Sequence, residues 1–191
     1  MIREALTFLK DHLNGHLSAQ SGLSLGEIED RVVFLDGEKI DPITFKLGAI
    51  TCLMINVEEE RTLRAADPYV RVDADGARQR VQPDIRINLY VLFVARFSQY
   101  EQGLSYLSRI IEHFQVHRVF DHQNSPELSP RIERLILELQ TQSFSEQNEI
   151  WNALRTTYHP SMLYRVRMLV LRDDIASATP AVSDKEVAVT P

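Results

Sequence analysis

The residues best suited to chemistry are three histidines, His113, His117 and His122, which lie close in sequence to Glu112 and Asp121. His113 and His117 are four residues apart and would share one face of a helix, as zinc-binding pairs do. The glutamate that activates a metal-bound water is absent from its usual place between them. Two readings follow: a small metal-dependent enzyme using His113, His117 and Asp121, or a solvated helix face, which the missing glutamate favours.

A second histidine pair, His12 and His16, repeats this spacing near the start of the chain. We expect it to lie opposite the leucine stripe of the first helix and to face solvent. A spacing that occurs twice among six histidines is weak evidence for a metal site at either place. Cys52 lies in an apolar run and is expected to be buried and inert. No nucleophile elbow or glycine-rich phosphate loop is present, so the sequence predicts no catalytic residue, metal or cofactor.

Two arginines near the end of the chain suggest a different kind of site. Arg165 and Arg167 would share one face of a strand, with Tyr164 on the other face. One reading is a solvent face on which the arginines pair with Glu133 or Glu138 of a neighbouring strand. The other is a contact with another subunit, because arginine and tyrosine are enriched at protein interfaces. Both readings remain open on the sequence alone.

The elements that would position these residues follow from hydrophobic periodicity. An amphipathic helix opens the chain, with apolar residues three and four apart (Ile2, Leu6, Leu9, Leu13 and Leu17). A strand over 32–35, a turn at Asp36-Gly37 and a short return at 39–40 predict a hairpin. Further strands are predicted over 49–58, 85–95, 132–140 and 163–171, and a helix over 99–116. Residues 64–84 are polar and predict a long loop or an extended hairpin.

The lone tryptophan, Trp151, lies on a short helix predicted to begin with Ser145 as its N-cap and to end before Pro160. We expect Trp151 and Leu154 to hold this helix on the sheet. Strands outnumber helices, and the helices occur singly between them. This order favours an α+β (α/β) fold with a single mixed, largely antiparallel sheet and helices packed on it. Residues 1–172 would form one domain, and 173–191 a flexible tail.

Composition narrows the function classes. The chain has 191 residues and a net charge of −6, which argues against nucleic acid or an anionic membrane as its main partner. One cysteine excludes an intrachain disulfide and suits the cytoplasm, and we expect no signal peptide at the start. No apolar run reaches the roughly 18 residues of a membrane span, so no membrane insertion is expected.

The order of several short motifs resembles the cap, or tail-terminator, family of contractile injection systems, the phage-tail-like particles of bacteria. The resemblance covers residues 1–171. Its first half rests on Ile55-Asn56-Val57-Glu58-Glu59-Glu60, Ile87-Asn88-Leu89-Tyr90-Val91-Leu92-Phe93, Tyr100-Glu101 and Phe114-Gln115. Its second half rests on Asn124-Ser125-Pro126, a leucine-rich strand, Asn148, Trp151, Tyr158, Pro160-Ser161, Tyr164 and Arg167.

The resemblance implies a non-enzymatic subunit with a tail-terminator-like fold. Such a subunit would form a homo-oligomeric ring, a hexamer, at the distal end of an inner tube and its sheath. It would end polymerisation and stabilise the extended particle, which is assembled in the cytoplasm. The loops at 64–84 and 120–130 are the expected contact regions, with candidate interface residues Arg165, Arg167, Tyr164, Asn124, Asp73, Arg78 and Arg80. A monomeric adaptor for tail assembly is the alternative within the same setting.

Overall fold

A computed structural model describes residues 1–21, 30–37, 43–60, 70–72, 78–80, 86–170 and 177–178. Three helices occur in these ranges: α1 (Ile2–Ser21), α2 (Tyr100–Val116) and α3 (Phe144–Ala153). Six strands form the main sheet: β1 (Val32–Phe34), β2 (Ala49–Glu59), β5 (Arg86–Arg96), β6 (Val119–Asp121), β7 (Ile132–Gln140) and β8 (Ser161–Val170). Three short strands form a second sheet: β3 (Val70–Val72), β4 (Arg78–Arg80) and β9 (Ser177–Ala178).

The main sheet has the order β1-β2-β5-β8-β7-β6. Its pairs are antiparallel except β1–β2, which is parallel. β5 is central and is buried from Val91 to Ala95, because both faces of the sheet are covered there. The predicted α+β class and the mixed, largely antiparallel sheet are therefore confirmed.

Each face of the sheet carries its own core. On the first face, leucines of α1 (Leu9, Leu13, Leu17) and Ile110 of α2 pack over the sheet and are fully buried. On the second face, Trp151 of α3 packs with Phe45, Leu92, Val94 and Leu163. The predicted anchoring of α3 by Trp151 is confirmed. α3 is only ten residues long, and beyond it this face carries charged side chains.

The amide side chain of Asn14, in the middle of α1, covers the outer edge of the sheet. Its Nδ2 donates to the Val32 carbonyl at 2.9 Å, and its Oδ1 accepts from the Val32 N–H at 2.8 Å. An edge strand otherwise presents unpaired backbone groups. Asn14 therefore replaces a neighbouring strand at β1 and attaches α1 to the sheet.

The predicted N-cap of α3 at Ser145 is wrong. The cap is Ser143, whose Oγ accepts from the Glu146 N–H at 3.3 Å while the Glu146 carboxylate accepts from the Ser143 N–H at 2.8 Å. This reciprocal pair is a capping box, which requires serine and glutamate three residues apart. Ser143 and Glu146 have that spacing, whereas Ser145 is followed at the same distance by Asn148.

Several boundaries differ from those predicted. β1 pairs with β2 in parallel, and the predicted return strand at 39–40 lies outside the described residues. The short edge strand β6 was not predicted. Residues 70–72 and 78–80 pair in antiparallel fashion, as in the extended hairpin that was one of the two forms expected for 64–84. They belong to a second sheet, whereas a single sheet was predicted. In the segment predicted as a flexible tail, Ser177–Ala178 pair with β4, and the rest lies outside the described residues.

Candidate interaction surface

Three arginines surround one glutamate on the part of the second sheet face that α3 leaves open. Arg165 of β8 lies opposite Glu138 of β7 and donates from Nε to Oε2 at 2.9 Å. Arg118 Nη2 lies 3.1 Å from Oε1 of the same carboxylate, and Arg167 Nη1 lies 3.6 Å from it. We call these four residues the arginine patch. Three guanidinium groups against one carboxylate give it an excess of positive charge on a chain whose net charge is −6.

The electrostatics of the patch centre on Glu138, whose side chain is 15% exposed. Partial burial acts to raise the pKa of Glu138, but the hydrogen bond from Arg165 and the charges of Arg165 and Arg167 outweigh it and hold the pKa below its usual range. Glu138 is therefore ionised at neutral pH and orients the arginines. At the margin of the patch, the Tyr90 hydroxyl donates to Glu58 Oε2 at 2.8 Å.

This geometry matches the solvent-face reading of Arg165 and Arg167, and it selects Glu138 over Glu133 as their partner. Tyr164, expected as an interface anchor, lies on the opposite side of β8 and is only 3% exposed. Burial raises the pKa of its hydroxyl to about 12. Because Tyr164 belongs to the core under α1 and α2, we remove it from the candidate surface.

The remaining predicted interface residues do not join the arginine patch in the described part of the chain. Asn124 holds its own turn, donating from Nδ2 to the Val119 carbonyl at 2.9 Å and accepting the Asp121 N–H at 3.0 Å. Arg78 and Arg80 lie in β4 of the second sheet, and Asp73 lies outside the described residues. Contact by these residues with a neighbour stays a prediction.

The two histidine pairs meet, contrary to the expectation that each faces solvent. His12 Nε2 lies 3.0 Å from His113 Nε2, and the rings of His16 and His117 lie beside that of His113. His113 is 6% exposed. The expectation of solvated faces is wrong for His12 and His113, because α1 and α2 pack side by side on the same face of the sheet.

The structure does not assemble the metal site considered for His113, His117 and Asp121. Asp121 Oδ1 accepts backbone N–H groups of Gln123 and Asn124 and so closes the turn after β6. In the described ranges, no group of three or more histidine, cysteine, aspartate or glutamate side chains is arranged to hold a metal ion. Cys52 is buried as expected, and burial raises the pKa of its thiol to about 12.

Two surface residues were missed by the sequence reasoning. Phe144, the first residue of α3, is 92% exposed, an unusual state for a large aromatic side chain. Arg118 completes the arginine patch from the connection between α2 and β6. Hydrophobic periodicity could not have identified Arg118, because its place beside Glu138 depends on the pairing of β6 with β7.

Comparison with known proteins identifies the family. The model of the Pvc16 N-terminal domain matches residues 4–184. The chain belongs to the Pvc16 N-terminal domain family. This confirms the resemblance to cap and terminator proteins of contractile injection systems that the motifs indicated.

One solved structure shows the shared fold. The chain matches the PVC sheath/tube terminator in the extended state, from a cryo-EM structure of an extracellular contractile injection system, with a TM-score of 0.58 and 15% identity. The match covers 100% of this chain and 64% of that one. The tube-terminating cap of the anti-feeding prophage is also similar, with a TM-score of 0.48, 16% identity, and coverage of 74% and 49%.

This member of the Pvc16 N-terminal domain family thus spans less than two thirds of the length of either solved relative. No curated protein matches it in sequence. Among its described helices, none combines the length and apolar character that crossing a membrane requires.

Proposed function

We propose that this chain is a terminator, or cap, subunit of a contractile injection system. It forms a homo-oligomeric ring, a hexamer, that closes the distal end of the inner tube and sheath and stabilises the extended particle. The family match over residues 4–184 carries this proposal, and the fold shared with the PVC sheath/tube terminator supports it. The role is structural rather than catalytic, and the particle is assembled in the cytoplasm without direct contact with nucleic acid or membrane.

Termination answers a physical requirement of such particles. A tube of stacked rings is a heterologous assembly that grows without limit unless something closes its end. A terminator needs one surface that binds the last ring and another that accepts no further ring. A rigid sheet with two differently covered faces is suited to this task.

The arginine patch is the docking surface that we propose for a neighbouring subunit with an acidic surface. Its excess of positive charge contrasts with the acidic chain as a whole. Arg165 and Arg167 lie on β8, which pairs with β7, and their contacts with Glu138 restrict their side chains before binding. Exposed Phe144 supplies an aromatic anchor on the same side of the sheet, where α3 packs.

Electron microscopy of particles from a strain that lacks the gene tests the terminator role. We expect sheaths of uncontrolled length, or no stable extended sheaths, with normal particles restored by the wild-type gene. Particles of normal length and stability without the gene would overturn the proposal. Two measurements distinguish a ring from a monomeric adaptor: the mass of the purified chain in solution, and the number of copies of the chain bound to an isolated particle.

Surface variants test the docking assignment separately. The double variant Arg118→Ala/Arg167→Ala removes two arginines and keeps the central Arg165–Glu138 pair. We expect a stability change of less than about 1 kcal/mol, because exposed ion pairs contribute little, together with loss of particle termination. Arg131→Ala, which removes an exposed arginine outside the patch, is the matched control and should terminate normally. Normal termination by the double variant would exclude the patch as the docking surface and leave the family assignment intact.

A further inference from the structure

Four of the six histidines of the chain meet at one point between α1 and α2. His12 and His16 are one turn apart on α1, and His113 and His117 are one turn apart on α2. His12 Nε2 and His113 Nε2 are 3.0 Å apart. The ring centroid of His113 lies 4.0 Å from that of His16 and 4.8 Å from that of His117. We call these residues the histidine cluster.

Apolar rings surround the cluster on its inner side. The rings of Phe8 and Phe120 lie against His12, with centroids 5.5 and 4.7 Å away, and Phe114 lies 5.6 Å from His113. Nδ1 of His113 is buried and has no hydrogen-bond partner within the described residues. An additional charge at His113 would therefore have little contact with solvent and, among the described residues, no counter-ion beside Nδ1.

The outer side of the cluster opens into a groove of about 1020 Å³. The carboxylate nearest to the cluster is that of Glu127, whose Oε1 lies 3.8 Å from His12 Nδ1 and whose side chain is largely exposed. From α2, the positive charge of Arg109 acts on His16. The other charged residues that line the groove are Arg3, Glu4 and Asp11 of α1. In the part of the chain that the structure describes, the carboxylate in contact with the cluster is thus that of Glu127, and it lies beside His12.

The short contact between His12 and His113 limits how many protons these two rings can hold together. At 3.0 Å, one Nε2 must donate a hydrogen and the other must accept it. One added proton is tolerated, because a charged His12 beside Glu127 still donates to a neutral His113. A second proton on this pair, at His113, places a hydrogen on both Nε2 atoms and two positive charges in contact. The hydrogen bond between His12 and His113 is then lost, and with it one contact between α1 and α2.

We propose that the histidine cluster is a proton-operated latch, which holds α1 against α2 at neutral pH and releases α1 when a second proton enters. α1 contributes buried leucines to the first core, so its release should loosen that core, whereas α3 and Trp151 pack on the opposite face of the sheet and should respond less. The latch depends on the geometry of α1 and α2 within one chain and does not require the terminator role.

The pKa values of the cluster agree in direction with this latch. Burial, followed by the charges of His16, His12 and His117, lowers the pKa of His113 to about 3. Burial also lowers the pKa of His12 and of His16. A histidine with a lowered folded pKa favours the folded state above the unfolded value of 6.5, and this stability is lost as the pH falls below that value. His113 alone should increase the opening equilibrium constant about thirtyfold between pH 7.5 and 5.0.

Hydrogen exchange of the full chain at pH 7.5 and 5.0, corrected for intrinsic exchange rates, tests the latch. We expect amides of α1 and of the facing part of α2 to exchange at least about thirtyfold faster at pH 5.0 after correction. Amides of β5 and α3 should change by less than a third of that factor. Equal changes in all elements, or no change, would overturn the proposal.

Variants assign the effect to the cluster. His113→Gln keeps a polar side chain of similar size and cannot be protonated, so it should reduce the pH-dependent factor at α1 to below about threefold. His122→Gln changes an exposed histidine in the turn after β6 and should retain the wild-type factor. A full wild-type response in His113→Gln would contradict the latch. If His113→Gln does not fold, His113→Asn removes the same titratable ring with a smaller polar side chain and has the same expected result.

Two further measurements on the wild-type chain separate the latch from other roles. In an NMR titration, the His113 ring should remain neutral down to pH 5 in the folded chain, and a transition above pH 5 would overturn the latch. Addition of zinc chloride at pH 7.5 should give no stoichiometric binding. One zinc ion bound per chain, and lost in His113→Gln, would identify the cluster as a metal site and overturn the proposal.

Discussion

Replacing Asn14 with alanine should destabilise the fold strongly, although Asn14 lies on a helix and belongs to none of the motifs noted in the sequence. The wild-type side chain satisfies both the N–H and the carbonyl of Val32. These groups point away from β2, because the parallel ladder uses the neighbouring residues, with Ile50 N–H donating to the Arg31 carbonyl at 2.7 Å. Val32 is fully buried, so water cannot easily replace the amide.

The size of the effect follows from the groups left without partners. A buried backbone donor or acceptor that loses its partner costs about 1–3 kcal/mol. Two such groups in Asn14→Ala give about 2–5 kcal/mol after partial relaxation, less the small gain in helix propensity of about 0.5 kcal/mol. Total stabilities are about 5–15 kcal/mol, so this single change removes a large share.

Urea unfolding followed by the fluorescence of Trp151, the single tryptophan, measures the free energy of unfolding. Asn56→Ala is a suitable control, because Asn56 is exposed and its Oδ1 accepts only the adjacent Val57 N–H. We expect the control to change the free energy of unfolding by less than about 0.5 kcal/mol. A cost below about 1 kcal/mol for Asn14→Ala, or an unchanged exchange rate of the Val32 amide, would show that the edge does not need this side chain.

Two other substitutions test specific contacts by the same unfolding measurement. Ser143→Ala should cost about 1 kcal/mol through loss of the capping box, whereas Ser145→Ala should be within about 0.5 kcal/mol of wild type; the reverse order would refute the assigned cap. Glu138→Gln should reduce stability at neutral pH and flatten its acid dependence, because the stability due to a lowered carboxylate pKa is present above the unfolded value of 4.5 and lost as the pH falls through the folded pKa. An acid profile identical to that of wild type would contradict the arrangement around Glu138.

The sequence predicted the long elements well because their side-chain periodicity is strong. β2, β5 and α2 lie within a residue or two of the predicted ranges. The short strands β3, β4 and β6 have only three residues each, too few for a periodic pattern, and are defined by their pairing with other strands. The parallel pairing of β1 with β2 likewise depends on tertiary packing, and the turn signal at Asp36-Gly37 does not reveal it.

Helix geometry alone indicates in part where the histidines of α1 lie around the helix axis. At about 100° per residue, His16 lies about 20° from Leu9 around the helix axis, and His12 about 60° from it. Both therefore border the buried leucine stripe and are not opposite to it. The spacing nevertheless cannot show that His113 lies across from His12, because the side-by-side packing of α1 and α2 depends on the whole sheet beneath them.

The arginine patch, if it docks a neighbour as we propose, would do so at little cost to the stability of the free chain. Glu138 orients Arg165 and partly neutralises Arg118 and Arg167, so the three guanidinium groups of the patch share a counter-charge in the free chain. Less side-chain freedom then remains to be lost when an acidic neighbour binds.

Docking through this surface should weaken as salt rises from about 0.05 to 0.5 M, because screening shortens the range of exposed charges. Docking that depends mainly on Phe144 should instead persist or strengthen in salt, since burial of apolar area is not screened. Salt titration of subunit binding to isolated particles therefore separates the two contributions within the proposed docking surface.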